Sequence, residues 1–430
     1  MNGYIRCGTD NPAAGSMING SITVNNKDGV KKLYLLLDEW DNDRNFVYSE
    51  LELIRESFDV TVICNSAGED RMEGVEYLIY NPDDSLGKLW SGIRFFFDKE
   101  ALGEAGSIIK KGERTRERLS ELFHFYINAD GFGRFMKNNG CLRNGVTYYS
   151  FWYFWKCYAV TRVIDKYPDS RVFTRAHGYD LYDDVRPSGY QPFKERMDER
   201  LERIAFISEY GREYYLKRYN KQDCDKYILS CLGTVRKGEG IIYDRDDELL
   251  LVSCSHIIPL KRIDRIIRAL AMIDDLNVRW IHFGTGRDSD KIKRLAEELL
   301  GNKKNISCNF KGQVANSDIH ALYSATKVDA FITASESEGN PVSVMEALSY
   351  GIPVIAPAIC NFPNMIRDCG ILLPEKCEPA DIAEAVRGLK DMTGEELRKL
   401  RDNAFKRWDE SYNAEKNNKR FVKEVIRGEL

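Results

Sequence analysis

The sequence lacks the features that mark several common protein classes. Its eleven cysteines are scattered without a C-x-x-C pair, so neither a disulfide framework nor a cysteine zinc site is expected. The formal net charge of −4 gives no basic field for nucleic acid. No apolar run reaches the roughly 20 residues of a membrane-spanning helix, and the N-terminal "MNGYIRCGTDNPAAGSMINGS" lacks the apolar core of a signal peptide. A protein with reduced thiols in the cytoplasm is therefore expected.

What is present describes a globular protein. A chain of 430 residues with 43% hydrophobic and 30% charged residues favours two domains. The aromatic-rich segment 148–160 contains Lys156 and is predicted to be buried. The segment "KLWSGIRFFFDK", residues 88–99, fits two interpretations, an amphipathic helix at a membrane interface or a buried helix.

Apolar strands alternate with helical patterns along the chain. "LYLLL" (33–37) and "VTVIC" (60–64) flank a helical pattern, which predicts a βαβ unit and a parallel sheet. Glycines and charges cluster at 234–248, where we place a domain junction. Five strands with four intervening helices follow, and this alternation predicts a doubly wound sheet.

The stretch "SESEGNPVSVMEALSYG" (335–351) follows the strand "DAFITA", at the sheet edge where parallel sheets bind ligands. Asn340 is predicted to cap the next helix, with Pro341 at its first position and Gly351 after its end. On that helix the spacing predicts that Glu346 points away from the core.

Unpaired N–H groups at this helix start, with Gly339 allowing close approach, suit a phosphate. Glu338 and Glu346 would repel phosphate, so they are predicted to accept hydrogen bonds from hydroxyls on either side of it. A nucleotide sugar combines these groups.

A second segment, "SCSHIIPLKRID" (253–264), points to the same ligand. Lys261 and Arg262 precede a helix that Asp264 could cap. Cations at a helix start oppose its dipole unless an anion joins them, and a diphosphate would be such an anion. The nearby Gly284 and Gly286 form only a G-x-G, which is weak support.

These segments resemble a known family. "SESEGNPVSVMEALSYGIPVIA" is similar to the E-x-x-x-x-x-x-x-E signature of retaining GT-B glycosyltransferases of family 4, the glycosyl transferases group 1, and "SCSHIIPLKRIDRIIRAL" is similar to their phosphate segment. The resemblance covers residues 249–375. "TRAHGYDLYDD" in the first half resembles a bacterial subgroup that builds surface polysaccharides, and "KRWDESYNAEKNNKRF" resembles the family's closing helix.

The resemblance implies an α/β protein of the GT-B fold, in which two Rossmann-like doubly wound domains face each other across a cleft and the C-terminal helix crosses back to the first. The corresponding expectation is a polar tail at 1–30, an acceptor-side domain at 31–235, a nucleotide-sugar domain at 236–405 and the returning helix at 406–430.

The resemblance also implies residue roles. Glu346 would hold the ribose, Glu338 the transferred sugar, and Lys261 the departing diphosphate. His177 would face the donor sugar across the cleft. The remaining donor-side residues are His256, Arg262, Gly284, Lys311, Gly312, Val314, Gly339, Asn340, Pro341 and Val342, of which Lys311, Gly312 and Val314 would pack on the base.

Three departures from the family pattern stand out. His256 occupies the position where many relatives carry arginine, "DEWDNDRNF" replaces a glycine-rich loop after the first strand, and "PAICNFPNMI" replaces a glycine-rich turn after the last conserved strand. They leave the contacts to the acceptor and part of the donor loop open.

The predicted activity is a retaining transfer of sugar from a UDP- or GDP-linked donor to a saccharide or lipid-linked saccharide. No metal site and no cofactor are expected, and neither "DRD" (244–246) nor "DSD" (288–290) fits a metal loop. The protein would be cytoplasmic or in peripheral contact with the inner face of the membrane. The alternatives are a sugar-nucleotide epimerase, a phosphorylase, or a non-catalytic nucleotide-sugar binder, which His256 keeps open.

Overall fold

The computed structural model describes residues 31–82, 85–238 and 247–428, apart from the side chains of residues 42–45. The predicted tail 1–30 lies outside the described residues, and so do residues 239–246 of the predicted junction. The domain boundaries therefore stay a prediction, whereas both predicted sheets fall within the described part.

The first sheet has seven parallel strands in the order β3-β2-β1-β4-β5-β6-β7. The strands are β1 (Lys31–Leu36), β2 (Phe58–Cys64), β3 (Glu76–Ile79), β4 (Thr147–Ser150), β5 (Arg171–Ala176), β6 (Arg203–Phe206) and β7 (Tyr227–Leu229). The α-helices in this half are α1 (Trp40–Ile54), α2 (Ser85–Phe95), α3 (Lys99–Lys111), α4 (Thr115–Asn138), α5 (Trp155–Thr161), α6 (Lys194–Arg200) and α7 (Glu209–Arg218).

The second sheet has six parallel strands in the order β10-β9-β8-β11-β12-β13. The strands are β8 (Glu248–Cys254), β9 (Asn277–Phe283), β10 (Ile306–Gly312), β11 (Ala330–Ile332), β12 (Val354–Pro357) and β13 (Gly370–Leu373). The helices are α8 (Ile263–Ala271), α9 (Ser289–Leu300), α10 (Asn316–Ala325), α11 (Val342–Ser349), α12 (Phe362–Ile366), α13 (Pro379–Asp391), α14 (Gly394–Ser411) and α15 (Ala414–Phe421).

Strand β1 shows how a sheet of this kind is buried on both faces. Leu33 and Leu35 belong to one apolar cluster, while Tyr34 and Leu36 belong to a second, because successive side chains of a strand point to opposite faces. A strand buried on both sides has no polar alternation, which is why its apolar run predicts a parallel sheet. The predicted burial of 148–160 is confirmed for nearly all of its residues.

The C-terminal segment crosses back to the first sheet, as predicted. After α15 the chain forms a π-helical turn, Val422–Arg427, and Phe421 packs in the same apolar cluster as Leu33. The guanidinium of Arg175 lies 4.1 Å from the centre of the Phe421 ring and is paired with the buried carboxylate of Glu50. This packing joins the end of the chain to the core of its first half.

The structure also bears on the predicted amphipathic segment and on membrane-spanning helices. The segment 88–99 forms most of α2 and the turn into α3, and its apolar side chains are exposed except for that of Phe95, which is buried. The interpretation of this segment as a buried helix is therefore wrong. Among the described residues, we find no helix with the length and apolar character needed to traverse a bilayer.

Candidate active site

A cavity of about 600 Å³ opens where β8, β9 and β11 end. Strands β8 and β11 are neighbours in the sheet but not in sequence, so this is the point where the winding reverses and where open parallel sheets bind ligands. The predicted residues that line the cavity are His256, Lys261, Gly284, Val314, Glu338, Pro341, Val342 and Glu346.

Lys261 and Glu338 come from different loops and meet in this cavity. Nζ of Lys261 donates to Oε1 of Glu338 at 2.5 Å, and the two side chains are only 19% and 13% exposed. The backbone N–H of Glu336 donates to the carbonyl oxygen of Leu260 at 2.9 Å, which holds the two loops side by side. Because an ammonium has three N–H donors, Lys261 can hold Glu338 and an anion together.

Glu346 lines the same cavity from α11. Its Oε1 accepts a hydrogen bond from Nδ2 of Asn316 at 2.7 Å and lies 3.7 Å from Nε2 of His320. Within the described part of the chain no donor contacts Oε2, so this oxygen can accept from a ligand. Glu346 was expected on an outward face, but α11 is buried from Val344 to Ser349, and the carboxylate reaches the cavity from a buried helix.

The start of α11 is shifted by one residue from the prediction. Pro341, not Asn340, occupies the N-cap position, and no side chain caps the helix. Nδ2 of Asn340 instead donates to the carbonyl oxygen of Ile207, after β6, at 2.9 Å. The first N–H groups of α11 therefore lack a side-chain partner, as an anion site at a helix start requires. Gly339 borders open space, because an added Cβ would meet nothing within 4 Å.

Arg262 lies outside the cavity, although it was predicted on the donor side. Its guanidinium donates to both oxygens of Asp264 at 3.0 and 3.1 Å and to Glu336 at 2.5 Å. These hydrogen bonds, first the one to Asp264, raise the pKa of Arg262. The prediction that Asp264 caps α8 is wrong, because Arg262 itself occupies the N-cap position. Protein carboxylates, not a ligand, balance this charge.

The two glycines after β9 allow the neighbouring loop to pack closely. Gly284 has φ +130°, and an added Cβ would lie 2.0 Å from the carbonyl oxygen of Ser255. A Cβ at Gly286 would lie 2.3 Å from the carbonyl oxygen of Ile257. The N–H of Ile257 donates to the carbonyl oxygen of Thr285 at 3.0 Å. The G-x-G thus shapes the cavity wall by letting two backbones touch.

Several predicted residues lie outside the cavity wall. Gly312 ends β10, and its carbonyl oxygen accepts from the N–H of Gly284, which lines the cavity, at 2.8 Å. Lys311, beside it, is exposed. Neither residue lines the cavity, and neither do Gly339 and Asn340.

His177 is buried in the first half of the chain and does not line the cavity. Its ring centre lies 4.6 Å from that of Phe151 and 4.4 Å from that of Trp152. Nδ1 lies 3.7 Å from Oδ2 of Asp180, and Oδ1 of Asp180 accepts from the backbone N–H of His177 at 2.6 Å. Its predicted position facing the donor sugar stays a prediction.

Sequence reasoning missed Asn316, which lines the cavity beside Glu346. Its amide nitrogen holds Glu346, while its Oδ1 accepts from Nζ of Lys237 at 3.3 Å. An asparagine at a helix start usually indicates a cap, so the sequence carries no signal for this contact. Gln313, Thr333 and Ser343 also line the cavity and were not predicted as site residues.

Among the described residues, no group of three or more His, Cys, Asp or Glu side chains is placed to hold a metal ion. The expectation that the protein needs no metal or cofactor stays a prediction.

Residues 242–407 match the family model described as Glycosyl transferases group 1. The chain is 27% identical to the lipopolysaccharide glucosyltransferase WaaG of Escherichia coli over 157 residues, which are 36% of this chain and 40% of that protein. It is 32% identical to the alpha-monoglucosyldiacylglycerol synthase of Streptococcus pneumoniae over 126 residues, or 29% and 27% of the two chains. The matches thus span less than half of either relative.

Two solved structures are similar over nearly the whole chain. The lipopolysaccharide outer core galactosyltransferase WaaB matches with a TM-score of 0.63 and 14% identity, covering 92% of this chain and 99% of that one. The Anabaena protein Alr3699/HepE in complex with UDP-glucose matches with a TM-score of 0.58 and 13% identity, with the same coverage of 92% and 99%. Likeness at these identities concerns the fold, and it confirms the predicted pair of Rossmann-like sheets. Residues 242–407 therefore match the model of the glycosyl transferases group 1, and the chain as a whole has a GT-B fold.

Proposed function

We propose that this chain is a retaining glycosyltransferase, which moves a sugar from a UDP- or GDP-linked donor to a saccharide or lipid-linked saccharide. The observation that carries the proposal is the meeting of Glu338, Lys261 and Glu346 around the uncapped start of α11 in one cavity. The group 1 domain supports glycosyl transfer. The name of the Escherichia coli relative supports a role in surface polysaccharide or glycoconjugate synthesis.

In this proposal the donor spans the cavity. Val314 packs on the base, Glu346 accepts from the ribose hydroxyls, and Glu338 accepts from the hydroxyls of the sugar. The diphosphate lies between the two carboxylates, at the start of α11 and beside Lys261. Carboxylates repel phosphate, and this placement keeps each of them on a hydroxyl-bearing part of the donor.

The chemical step depends on stabilising the departing diphosphate. The acceptor hydroxyl attacks the anomeric carbon on the face of the leaving group, the bond from that carbon to the phosphate oxygen breaks, and the hydroxyl proton passes to the diphosphate. Negative charge grows on the diphosphate as the bond lengthens, so Lys261 and the amides of α11 bind the transition state more strongly than the ground state. Glu338 orients the sugar and forms no covalent bond, and the scheme assigns no role to a metal.

The test measures nucleoside diphosphate release from a panel of UDP- and GDP-sugars. Lys261→Ala should lower turnover about 100-fold, the usual cost of losing a group that stabilises the transition state. Glu338→Ala should also lower turnover about 100-fold, because a misplaced reacting group loses this much rate. Lys291→Ala removes an exposed lysine of α9 outside the cavity and should leave turnover unchanged.

Each part of the proposal has a contrary outcome. Undiminished turnover in both cavity variants would contradict the residue roles, and an inverted anomeric centre in the product's NMR spectrum would contradict retention. Donor binding without transfer would favour a non-catalytic binder, and an altered nucleotide sugar formed without acceptor would favour an epimerase.

A lipid-linked acceptor resides in a membrane, so the proposal includes a cytoplasmic enzyme in peripheral contact with the inner face of a bilayer.

A further inference from the structure

Helix α2 turns its apolar side to solvent. Leu86, Leu89, Trp90 and Ile93 recur at the spacing of one helix face, and all four are exposed, Trp90 to 60%. The buried positions of the helix are Gly87, Ser91 and Phe95. A surface helix normally packs its apolar stripe into the core, so the orientation of α2 is the reverse of the usual one.

The exposed apolar surface continues into α3. Phe96 and Phe97 form the corner between the two helices, and Phe97 is 82% exposed. Leu102 and Ile109 extend the surface along α3. We name as the outer patch the exposed residues Leu86, Leu89, Trp90, Ile93, Phe96, Phe97, Leu102 and Ile109. They are eight of the nineteen exposed large hydrophobic residues in the described part of the chain, so the exposure is concentrated here.

Internal contacts fix the outer patch in this orientation. The hydroxyl of Ser91 donates to the carboxylate of Asp130 on α4 at 2.9 Å, and Arg134 donates to the carbonyl oxygen of Gly87 at 2.9 Å. At the corner, Asp98 accepts from the N–H of Ala101 at 3.0 Å and so caps α3. Small residues and hydrogen bonds thus hold the polar side of α2 against α4.

Acidic side chains around the outer patch have partners within the protein, whereas basic side chains there are exposed. Of the carboxylates within residues 85–112, Asp98 pairs with Arg162, Glu100 lies 2.7 Å from Arg200, and Glu104 accepts from a tyrosine hydroxyl. All three turn toward the protein. The cations of the same segment are exposed, and they are Lys88, Arg94, Lys99, Lys110 and Lys111, although Arg94 also lies 3.7 Å from Asp130 on α4. The outward face therefore combines apolar and positively charged side chains.

We propose that the outer patch docks the protein on an anionic phospholipid bilayer. Tryptophan, phenylalanine and leucine beside lysine and arginine are the composition of helices that lie in a membrane interface, where aromatic rings sit at the level of the headgroups. Cations near the surface are attracted by anionic lipids. No residue of the outer patch lines the donor cavity, so docking is separable from sugar transfer.

The experiment is co-sedimentation of the full chain with vesicles of phosphatidylglycerol and phosphatidylcholine, compared with pure phosphatidylcholine. The chain should bind the anionic vesicles more tightly, and added salt should weaken that preference. Trp90→Ser with Phe97→Ser should lower the affinity about 100-fold, since a large apolar side chain contributes roughly a factor of ten. Lys110→Gln with Lys111→Gln should lower it about 30-fold, on anionic vesicles only.

Matched controls lie on the second sheet's helices. Met272→Ser replaces an exposed apolar residue, and Lys291→Gln with Lys293→Gln removes two exposed lysines of α9. These variants should bind vesicles like the original chain. Nucleoside diphosphate release with a water-soluble acceptor should be unchanged in the outer-patch variants, which separates a failure of docking from a failure of the proposed transfer.

Three outcomes would overturn the inference. They are failure of the original chain to bind anionic vesicles, equal losses in outer-patch and control variants, and self-association in sedimentation velocity that Phe97→Ser abolishes. The last result would assign the outer patch to a second copy of the chain. Unchanged thermal melting of each variant shows that lost vesicle binding is not lost folding.

Discussion

Glu346 is a carboxylate with one oxygen held by the protein and the other available to a ligand. If it accepts from the ribose, Glu346→Ala should lower the affinity for the nucleoside diphosphate about 10- to 100-fold, because hydrogen bonds to a charged group contribute roughly 1.5–3 kcal/mol. Glu346→Gln keeps an acceptor oxygen without the charge, so its affinity should lie between those of the original protein and of Glu346→Ala. Calorimetric titration measures all three proteins.

The control for this prediction is a change in the ligand. A nucleoside diphosphate without the 2′- and 3′-hydroxyls should bind the original protein more weakly, and Glu346→Ala should cause no further loss. An equal loss with both ligands would show that Glu346 acts on another part of the donor.

At the residue scale, sequence reasoning succeeded where a residue's neighbours are set by its own strand, loop and helix. Lys261, Glu338 and Glu346 all lie at the carboxyl edge of the second sheet, and they line one cavity; their roles remain proposals. Asn340 was misplaced because its partner, Ile207, lies far along the chain. Arg262 was misplaced because Asp264, predicted as a helix cap, pairs with its guanidinium together with the distant Glu336. No local pattern indicates which distant acceptor such a side chain selects.

At the element scale, the packing of the loops after β8 and β9 depends on the absence of a side chain. Gly284→Ala should destabilise the protein by at least about 2 kcal/mol, because it strains a positive φ and drives a Cβ against the oxygen of Ser255. Gly339→Ala is the control, since open space surrounds it and its stability should change by less than about 0.5 kcal/mol. Urea unfolding measures both, and equal stabilities would contradict the packing argument.

Element boundaries were predictable where local chemistry decides them. Gly351 follows the end of α11 as predicted and has φ +65°. Its N–H donates to the carbonyl oxygen of Leu348 at 2.9 Å, and the N–H of Ile352 donates to the carbonyl oxygen of Ala347 at 3.1 Å. These two bonds form the helix ending that favours glycine. Strand β13 was missed, because "GILL" is too short an apolar run to distinguish a strand from a loop.

At the scale of the whole molecule, the alternation of strands and helices predicted a parallel sheet in the first half of the chain and a doubly wound sheet in the second. The family resemblance predicted the pair of Rossmann-like domains and the return of the last segment. The contacts that hold this return were not predictable. Arg175 and Glu50 are both buried and paired, and they are brought together by the neighbouring positions of β5 and α1, which only the folded chain defines. Burial raises the cost of separating such a pair, so the returning segment rests on a fixed surface.

Phe421 tests how far this return stabilises the molecule. Its ring packs in the apolar cluster with Leu33, beneath the guanidinium of Arg175 and 5.3 Å from the ring of Tyr149. Phe421→Ala should lower the free energy of unfolding by about 3–5 kcal/mol, because it leaves a cavity in a buried cluster. Lys419→Ala, on the exposed side of the same helix, should change it by less than about 0.5 kcal/mol. Urea unfolding distinguishes them, and a loss below about 1 kcal/mol for Phe421→Ala would show that the segment only rests on the first sheet, without contributing to its core.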